Sequence, residues 1–316
     1  MPHPEKSILL TGGNTGLGFQ AALAIAKASP DWHILIASRN PVRGEAAVRD
    51  LIHASGHPHL SYLPLDLANL SSIKHLADRL AQEEFPPLHA IVCNAGSQFV
   101  QDTQTTDDGV EATFGVNHLG HFLLVRLLLD QLQEPGRILV VSSDTHDPRQ
   151  RTGMPAPRYA APAQLANPEA SDSLLAGLPP LTRGQIRYTT SKLCNLYFAY
   201  ELSHRLQSAS RSIEVAAFNP GMMPGKDSSL ARDYRPMLRF MWNHVLPLMR
   251  FLRPAIRSTK ISGGHLAQLL LRQDFTNGSY WDGTKPIASS EESYNRERAA
   301  ELWDWSCERL RLAKNL

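Results

Sequence analysis

Tyr188 and Lys192 are the two residues whose types and spacing most directly suggest proton chemistry. They stand four positions apart in a segment with helical periodicity, so both side chains would share one helix face. An ammonium group beside a phenol favours the phenolate, which lowers the pKa of a tyrosine from its usual value of about 10. Such a pair can give and take a proton at an alkoxide, although the same spacing is also common on ordinary helix surfaces.

A glycine-rich turn near the N-terminus could hold a second reactant. The segment 11–18 reads TGGNTGLG, follows a short apolar run and leads directly into a helical pattern. Glycines let the backbone approach a pyrophosphate, whose charge then meets the amides at the start of the helix. The spacing is G-x-x-x-G-x-G rather than G-x-G-x-x-G, but the order of strand, glycines and helix predicts a dinucleotide site. Its predicted contacts are Gly12, Asn14, Thr15, Gly16, Leu17 and Gly18.

The end of the second predicted strand bears on which dinucleotide binds. It reads ASRN over residues 37–40, with one arginine and no carboxylate. An acidic residue at this place binds the ribose hydroxyls of NAD, whereas an arginine accommodates the 2′-phosphate of NADP. Arg39 therefore predicts NADP(H), the alternative being an ordinary solvated arginine.

Short apolar runs alternate with amphipathic helical patterns over the first 145 residues, which predicts βαβ units and a parallel sheet. The predicted strands are Ile8–Thr11, His33–Ser38, Leu60–Leu65, Ala90–Cys93, Arg137–Ser142 and Ile213–Phe218. The predicted helices are Leu17–Lys27, Gly44–His53, Leu70–Gln82, Gly109–Leu132, Ile186–Gln207, Thr259–Arg272 and Glu291–Arg311. We predict an α/β fold, a Rossmann-type doubly wound parallel sheet of about seven strands with helices on both faces, in a single domain spanning 1–316.

Two stretches interrupt this alternation. Residues 144–184 hold seven prolines and show little periodicity, which predicts a long inserted loop. Loops of that length are usually functional or disordered. Residues 222–258 consist of short apolar pieces cut by prolines, and we predict that they form a lid beside the site.

Composition excludes several classes of protein. The 316 residues carry 32 Lys and Arg against 30 Asp and Glu, a net charge of +2, so nothing in the charge favours nucleic acid as a partner. Three cysteines without a C-x-x-C spacing predict no disulfide framework and a cytoplasmic location. The pairs His118 and His121, and His53 and His57, lack a third ligand, so we predict no metal. No uninterrupted apolar run of about 18 residues is present.

Six further motifs occur in a recognisable order along the chain. They are Asp66 in LDL, Asn94-Ala95-Gly96, the segment 117–122 (NHLGHF), the segment 141–143 (VSS), the segment 188–192 (YTTSK) and Asn219-Pro220-Gly221. With the glycine turn, they make the chain resemble the short-chain dehydrogenase/reductase family. Within it, the segments 117–122, 191–195 and 278–281 and the C-terminal helix are most similar to the retinol dehydrogenase and protochlorophyllide reductase branch.

The resemblance implies a role for each matching residue. Asn117, Ser143, Tyr188 and Lys192 would be catalytic, with Ser143 rather than Ser142 as the substrate-binding hydroxyl. Tyr188 would be the general acid and base, and Lys192 would also hold the nicotinamide ribose. The remaining cofactor contacts would be Asp66, Leu67, Asn94, Ala95, Gly96, Pro220 and Gly221.

The chain departs from the family at two places. The separation of 45 residues between Ser143 and Tyr188 is far longer than usual, so the insert would shape access to the substrate or cover a subunit interface, unless it is a solvated addition. Protochlorophyllide reductases have a cysteine after the Pro-Gly pair where this chain has Met222, which argues against transferring the pigment.

The lid region supplies the predicted substrate contacts. They are Met222, Met223, Met237, Met241 and Trp242. Their adaptable and aromatic side chains favour a small-molecule substrate that is hydrophobic and bulky. Arginines 232, 235, 239, 250, 253 and 257 are interleaved with them. A basic amphipathic segment can also lie on a membrane surface, so an ordinary lid and peripheral membrane contact both stay open.

The expected function is NADPH-dependent hydride transfer involving a bulky hydrophobic ketone, aldehyde or alcohol. One alternative is reduction of a carbon–carbon double bond, and another is a non-catalytic NADP-binding regulator. The chain is expected to be a monomer or a homodimer.

Overall fold

The computed structural model describes residues 4–227, 230–251 and 255–316, which are organised around one eight-stranded sheet. The strands are β1 (Lys6–Thr11), β2 (Trp32–Ser38), β3 (Leu60–Pro64), β4 (Leu88–Cys93), β5 (Leu132–Val141), β6 (Ile213–Asn219), β7 (Ser279–Asp282) and β8 (Lys285–Ile287). Their order is β3-β2-β1-β4-β5-β6-β7-β8. All neighbours are parallel except β7 and β8.

The Rossmann-type fold is confirmed, with one strand more than predicted. The seven parallel strands are followed by β8, which turns back after Gly283 (φ +61°) and pairs with β7 in antiparallel fashion. All three residues of β8 are exposed, so this edge strand has no apolar pattern by which it could have been predicted.

Helices cover both faces of the sheet. They are α1 (Gly16–Ala28), α2 (Pro41–Ser55), α3 (Leu70–Gln82), α4 (Ala112–Phe114), α5 (Gly120–Leu128), α6 (Pro162–Ala166), α7 (Pro168–Leu174), α8 (Pro180–Ser208), α9 (Pro236–Phe240), α10 (Thr259–Leu271) and α11 (Arg296–Leu310). Alternate strand residues point to opposite faces. Leu9 and Leu35 pack with α3, α5, α8 and α11, whereas Ile8 and Ile34 pack with α1, α2 and α10.

The predicted helix Gly109–Leu132 is wrong in its form and at both ends. Helix α4 leads through a π-helical turn, Gly115–Leu119, into α5, and Leu132 already belongs to β5. Leu129 and Leu132 are both buried although Asp130 and Gln131 stand between them, so the spacing of apolar residues alone does not mark where the helix ends.

The segment 144–184 is not the unstructured loop that its prolines suggested. Pro162, Pro168 and Pro180 each stand in the first turn of a helix, where a proline loses no hydrogen bond. The segment is fastened to α8 by Arg187, whose buried guanidinium donates to Ser171 Oγ (3.0 Å) and to Asp172 Oδ1 (2.6 Å). Short 3₁₀ turns span Asp144–His146 and Pro148–Gln150.

The lid region is built from short turns. After α9 come a π-helical turn, Met241–Val245, and a 3₁₀ turn, Leu246–Phe251. Within the described residues, no helix is long and apolar enough to cross a membrane.

Candidate active site

A cavity of about 960 Å³ opens at the carboxyl ends of the parallel strands. The strand order reverses between β1 and β4, which is where α/β sheets of this kind bind ligands. Every residue predicted to hold the cofactor lines it: Gly12, Asn14, Thr15, Gly16, Leu17, Gly18, Arg39, Asp66, Leu67, Asn94, Ala95, Gly96, Tyr188, Lys192, Pro220 and Gly221. The residues that the sequence singled out are therefore brought to one place.

The glycine turn between β1 and α1 is built by close backbone contacts. Gly12 and Gly16 have φ angles of +68° and +57°, which favour glycine over other residues. A Cβ atom on Gly18 would lie 2.5 Å from the Gly12 carbonyl oxygen and 2.6 Å from Asn94 Nδ2. The turn thus presents bare backbone to the cavity, as a pyrophosphate site requires.

Thr11, a residue that sequence reasoning missed, joins this turn to the end of β4. Its buried Oγ1 accepts hydrogen bonds from the backbone amides of Asn94 and Ala95, both at 3.0 Å. Asn94 Nδ2 in turn donates to the Thr11 carbonyl oxygen at 2.7 Å. The two loops are therefore held in one fixed arrangement.

Helix α8 carries Tyr188 and Lys192 into the cavity wall. Lys192 Nζ lies 5.4 Å from the centroid of the Tyr188 ring and donates to the Val141 carbonyl oxygen at 3.1 Å. The two side chains share a helix face, as their spacing predicted.

The two serines that follow β5 have different surroundings. Ser142 Oγ is buried and donates to the Lys192 carbonyl oxygen at 2.7 Å, which commits its hydroxyl to the helix. Ser143 Oγ is partly exposed beside the cavity and donates to Asp144 Oδ1 at 3.1 Å. Ser143 is thus the hydroxyl that a substrate can reach.

Asn117 lies behind the cavity wall rather than on it. Its Nδ2 donates to the Ser97 carbonyl oxygen (3.0 Å) and to Ser191 Oγ (2.9 Å), and its Oδ1 accepts from the Ser97 amide (2.7 Å). A Cβ atom on Gly96 would lie 3.4 Å from Asn117 Oδ1 and 3.7 Å from Lys192 Nζ. Asn117 therefore supports the wall from the π-helical turn, a distortion that often marks functional sites.

The electrostatics of the pair differ from the sequence-based expectation. Burial lowers the pKa of Lys192 to about 8. Burial also raises the pKa of Tyr188, and the charge of Asp144 raises it further. These groups act against the predicted lowering of the Tyr188 pKa, which rests on Lys192 together with the positive charge of an oxidised nicotinamide and stays a prediction.

The predicted substrate residues divide into two sets. Met222, Met223 and Trp242 line the cavity, and Trp242 is only 7 % exposed. Met237 and Met241 are 78 % and 44 % exposed and do not line it. Arg253 lies outside the described residues. The sequence analysis missed the lining residues Phe99, Met154, Gln185 and Tyr234.

Only one of these missed residues left a usable signal in the sequence. Gln185 precedes Tyr188 by three positions on α8, so helical spacing places it on the same face. Met154 belongs to the insert, which therefore contributes directly to the cavity. Phe99 and Tyr234 come from loops without periodicity, so only the tertiary arrangement reveals them.

The paired histidines have separate environments. His121 Nε2 lies 2.9 Å from Thr11 Oγ1, whereas His118 Nε2 lies 3.2 Å from Ser306 Oγ. Burial lowers the pKa of His121 to about 4 and that of His118 to about 3, so both are neutral at pH 7. Across residues 4–227, 230–251 and 255–316, no three His, Cys, Asp or Glu side chains are grouped as metal ligands would be.

A family model described as short chain dehydrogenase matches residues 6–161. Protochlorophyllide reductase of Daucus carota is 31 % identical over 96 % of this chain and 77 % of its own length. The human WW domain-containing oxidoreductase is 32 % identical over 96 % of this chain and 68 % of its own length.

Solved structures repeat the same fold. A protein from Mycobacterium paratuberculosis, described as uncharacterised, superposes with a TM-score of 0.70 at 25 % identity, over 100 % of this chain and 97 % of its own. A short chain dehydrogenase/reductase from Saccharomyces cerevisiae superposes with a TM-score of 0.60 at 19 % identity, over 89 % of this chain and 97 % of its own. At that lower identity the second likeness concerns the fold alone.

Proposed function

Because the chain belongs to the short-chain dehydrogenase family, we propose that it is an NADP(H)-dependent oxidoreductase acting on a bulky hydrophobic ketone, aldehyde or alcohol. The observation that carries the proposal is the position of Tyr188, Ser143 and Lys192 on the wall of the cavity that the glycine turn also lines. One cavity thus offers a dinucleotide cradle and a proton donor.

The residues present fit such a cofactor. The glycine turn lines the cavity, and it is packed so closely that a side chain at Gly18 would meet the Gly12 carbonyl oxygen, which suits backbone binding of a pyrophosphate. Arg39 stands at the end of β2 without a carboxylate beside it in the sequence, which suits the 2′-phosphate of NADP(H). When bound, the nicotinamide would supply or accept the hydride.

The chain's own residues would manage the proton. The raised pKa keeps Tyr188 protonated at neutral pH, which is the state that reduction of a carbonyl needs. Ser143 would donate a hydrogen bond to the same substrate oxygen and steady its developing charge. Lys192 would hold the nicotinamide ribose and, as a cation, favour the phenolate once the proton has left.

The substrate side supports an apolar substrate. Trp242, Met222, Met223 and Leu246 line the cavity next to the catalytic residues. Apolar and aromatic walls with few polar groups are typical of sites for hydrophobic small molecules.

Reduction of a carbon–carbon double bond is the second candidate. The relatives named protochlorophyllide reductase favour it. A non-catalytic regulator is disfavoured, because a chain without turnover has no need to keep Ser143, Tyr188 and Lys192 together.

The test is a screen of NADPH oxidation over steroids, retinoids, aromatic polyketides and aliphatic aldehydes, followed by product analysis. An alcohol product supports the carbonyl reductase, and a saturated bond supports the second candidate. Tyr188→Phe is expected to lower kcat by about 10²- to 10⁴-fold while the Kd for NADPH stays within threefold. Unchanged turnover in this variant would contradict the assigned role of Tyr188.

A further inference from the structure

Three arginines from separate parts of the chain line the cavity. Arg39 follows β2, Arg43 lies in the first turn of α2, and Arg232 comes from the segment between β6 and α9. Desolvation of part of the Arg232 side chain, which is otherwise exposed, and the charges of Arg43 and Arg39 lower the pKa of Arg232, so the three guanidinium groups act on one another. Among residues 4–227, 230–251 and 255–316, none of the three makes an ion pair.

Like charges that line one cavity repel one another, although at exposed side chains water and salt weaken the repulsion. A ligand of high negative charge would relieve that repulsion. The planar guanidinium group binds phosphate oxygens through paired hydrogen bonds, so three of them favour a phosphate dianion. The cluster stands at the end of β2, where the adenosine ribose of a bound dinucleotide would lie.

Arg232 differs from the other two because its segment reaches the opposite side of the cavity. The next residue, Asp233, accepts hydrogen bonds from the amides of Val100 (2.7 Å) and Gln101 (3.1 Å). Tyr234 then donates through its hydroxyl to Gln98 Oε1 at 3.3 Å. The segment is thus tied to the loop that follows β4.

The same segment also carries part of the apolar wall. The ring of Tyr234 stands edge-on to that of Trp242, with 6.3 Å between the centroids, and both residues line the cavity. The backbone near Arg232 therefore connects the arginine cluster with the side chains next to the substrate. A ligand that binds the Arg232 guanidinium group would therefore also affect the position of Tyr234 and Trp242.

We propose that Arg232 binds the 2′-phosphate of NADP(H) together with Arg39 and Arg43, and that this contact positions Tyr234 and Trp242 for the substrate. The inference rests on the proposed function. Segment 230–234 already lines the cavity, and a 2′-phosphate would add a contact that holds Arg232 and the residues after it more firmly in place. NADH lacks the phosphate and would not supply that contact. The 2′-phosphate would then govern substrate affinity as well as cofactor choice.

Binding of nucleotide fragments tests the contact without turnover. Calorimetry compares adenosine 2′,5′-bisphosphate with adenosine 5′-monophosphate, which lacks only the 2′-phosphate, on the wild type and on Arg232→Gln, Arg39→Gln and Arg235→Gln. Arg235 is the matched control, because it is an exposed arginine of the same region that does not line the cavity. We expect Arg232→Gln and Arg39→Gln each to raise the Kd for the bisphosphate about tenfold and to leave the Kd for adenosine 5′-monophosphate within twofold. Arg235→Gln should change neither.

The failures are distinguishable. If Arg39→Gln weakens the bisphosphate and Arg232→Gln does not, the inference is overturned while the proposed cofactor stands. If the wild type binds the bisphosphate no better than adenosine 5′-monophosphate, NADP(H) specificity itself fails.

Substrate kinetics test the coupling. The wild type should show a substrate KM several-fold lower with NADPH than with NADH, and Arg232→Gln should remove that difference. Equal KM values with both cofactors in the wild type would refute the link to Tyr234 and Trp242.

Discussion

The two sides of the cavity are built in different ways. On the glycine-turn side, Thr11, Asn94 and Gly18 lock two loops together through buried hydrogen bonds and backbone contacts. On the lid side, residues 236–251 form three short turns that leave Met237, Phe240 and Leu248 more than half exposed. The first side is fixed before any ligand arrives, whereas the second is attached at a few points such as Asp233 and Trp242.

This difference indicates where affinity and selectivity reside. A cradle made of backbone binds what all dinucleotides share and tolerates little change. A wall made of side chains on short turns can be altered at low cost to stability, because few core contacts depend on it. We therefore expect substitutions on the two sides to separate cofactor affinity from substrate affinity.

Gly18→Ala should break the cofactor side. The new methyl group meets the Gly12 carbonyl oxygen and Asn94 at distances below 3 Å, so the turn must open. We expect binding of NADPH to weaken by about 3 kcal/mol, which raises its Kd roughly 150-fold, as measured by fluorescence titration. Gly264→Ala is the control, since it also lies in a helix but its Cβ would meet nothing within 4 Å. A Gly18→Ala protein that binds NADPH normally would contradict a preformed cradle.

Lys192→Met should show what the buried ammonium costs. The folded pKa of Lys192 is about 8 against an ordinary value of 10.5, so between these pH values the unfolded chain binds more protons. The unfolding free energy of the wild type therefore gains about 2 kcal/mol from this group between pH 8 and 9.5.

The methionine variant lacks this contribution, so it should be the more stable protein at pH 7 and lose its advantage as pH rises. Urea unfolding of both proteins at pH 7, 8 and 9.5 measures the difference between their unfolding free energies. The other titrating groups are the same in both proteins, so their contributions cancel in this difference. A constant difference across this range would mean that Lys192 is not desolvated.

Trp242→Ala should affect the substrate side alone. Removing this buried ring opens the apolar wall, so the KM for a bulky substrate should rise about tenfold while the Kd for NADPH stays within twofold. Met237→Ala, an exposed change in the same region, should leave both constants unchanged. Steady-state kinetics measure these KM values. A comparable rise of the substrate KM in both variants would mean that Trp242 does not form the wall that contacts the substrate.

Sequence reasoning succeeded where local patterns carry the information. The glycine turn, the apolar strands and the Tyr188–Lys192 spacing are each readable within a few residues, and the structure brings them to one cavity. It failed where distant contacts decide. Met237 and Met241 are the same residue type as Met222, yet they are exposed and do not line the cavity. The burial that raises the Tyr188 pKa is likewise not visible in the spacing of Tyr188 and Lys192.

Proline was the least reliable sequence signal. In 144–184 it was read as a sign of loop, yet Pro162, Pro168 and Pro180 open helices of five, seven and 29 residues. Helices of five and seven residues are too short to show periodicity, so only the capping position of the proline could have indicated them.

The ion pair between Asp172 and Arg187 affects how the length of the segment 144–184 can change in evolution. The ion pair fixes α8 at Arg187, the residue before Tyr188, whatever the length of chain that leads up to it. The number of residues between Ser143 and Tyr188 therefore does not determine the distance between their hydroxyl groups. A segment of this kind can gain or lose residues over evolutionary time while Ser143 and Tyr188 keep their relative positions.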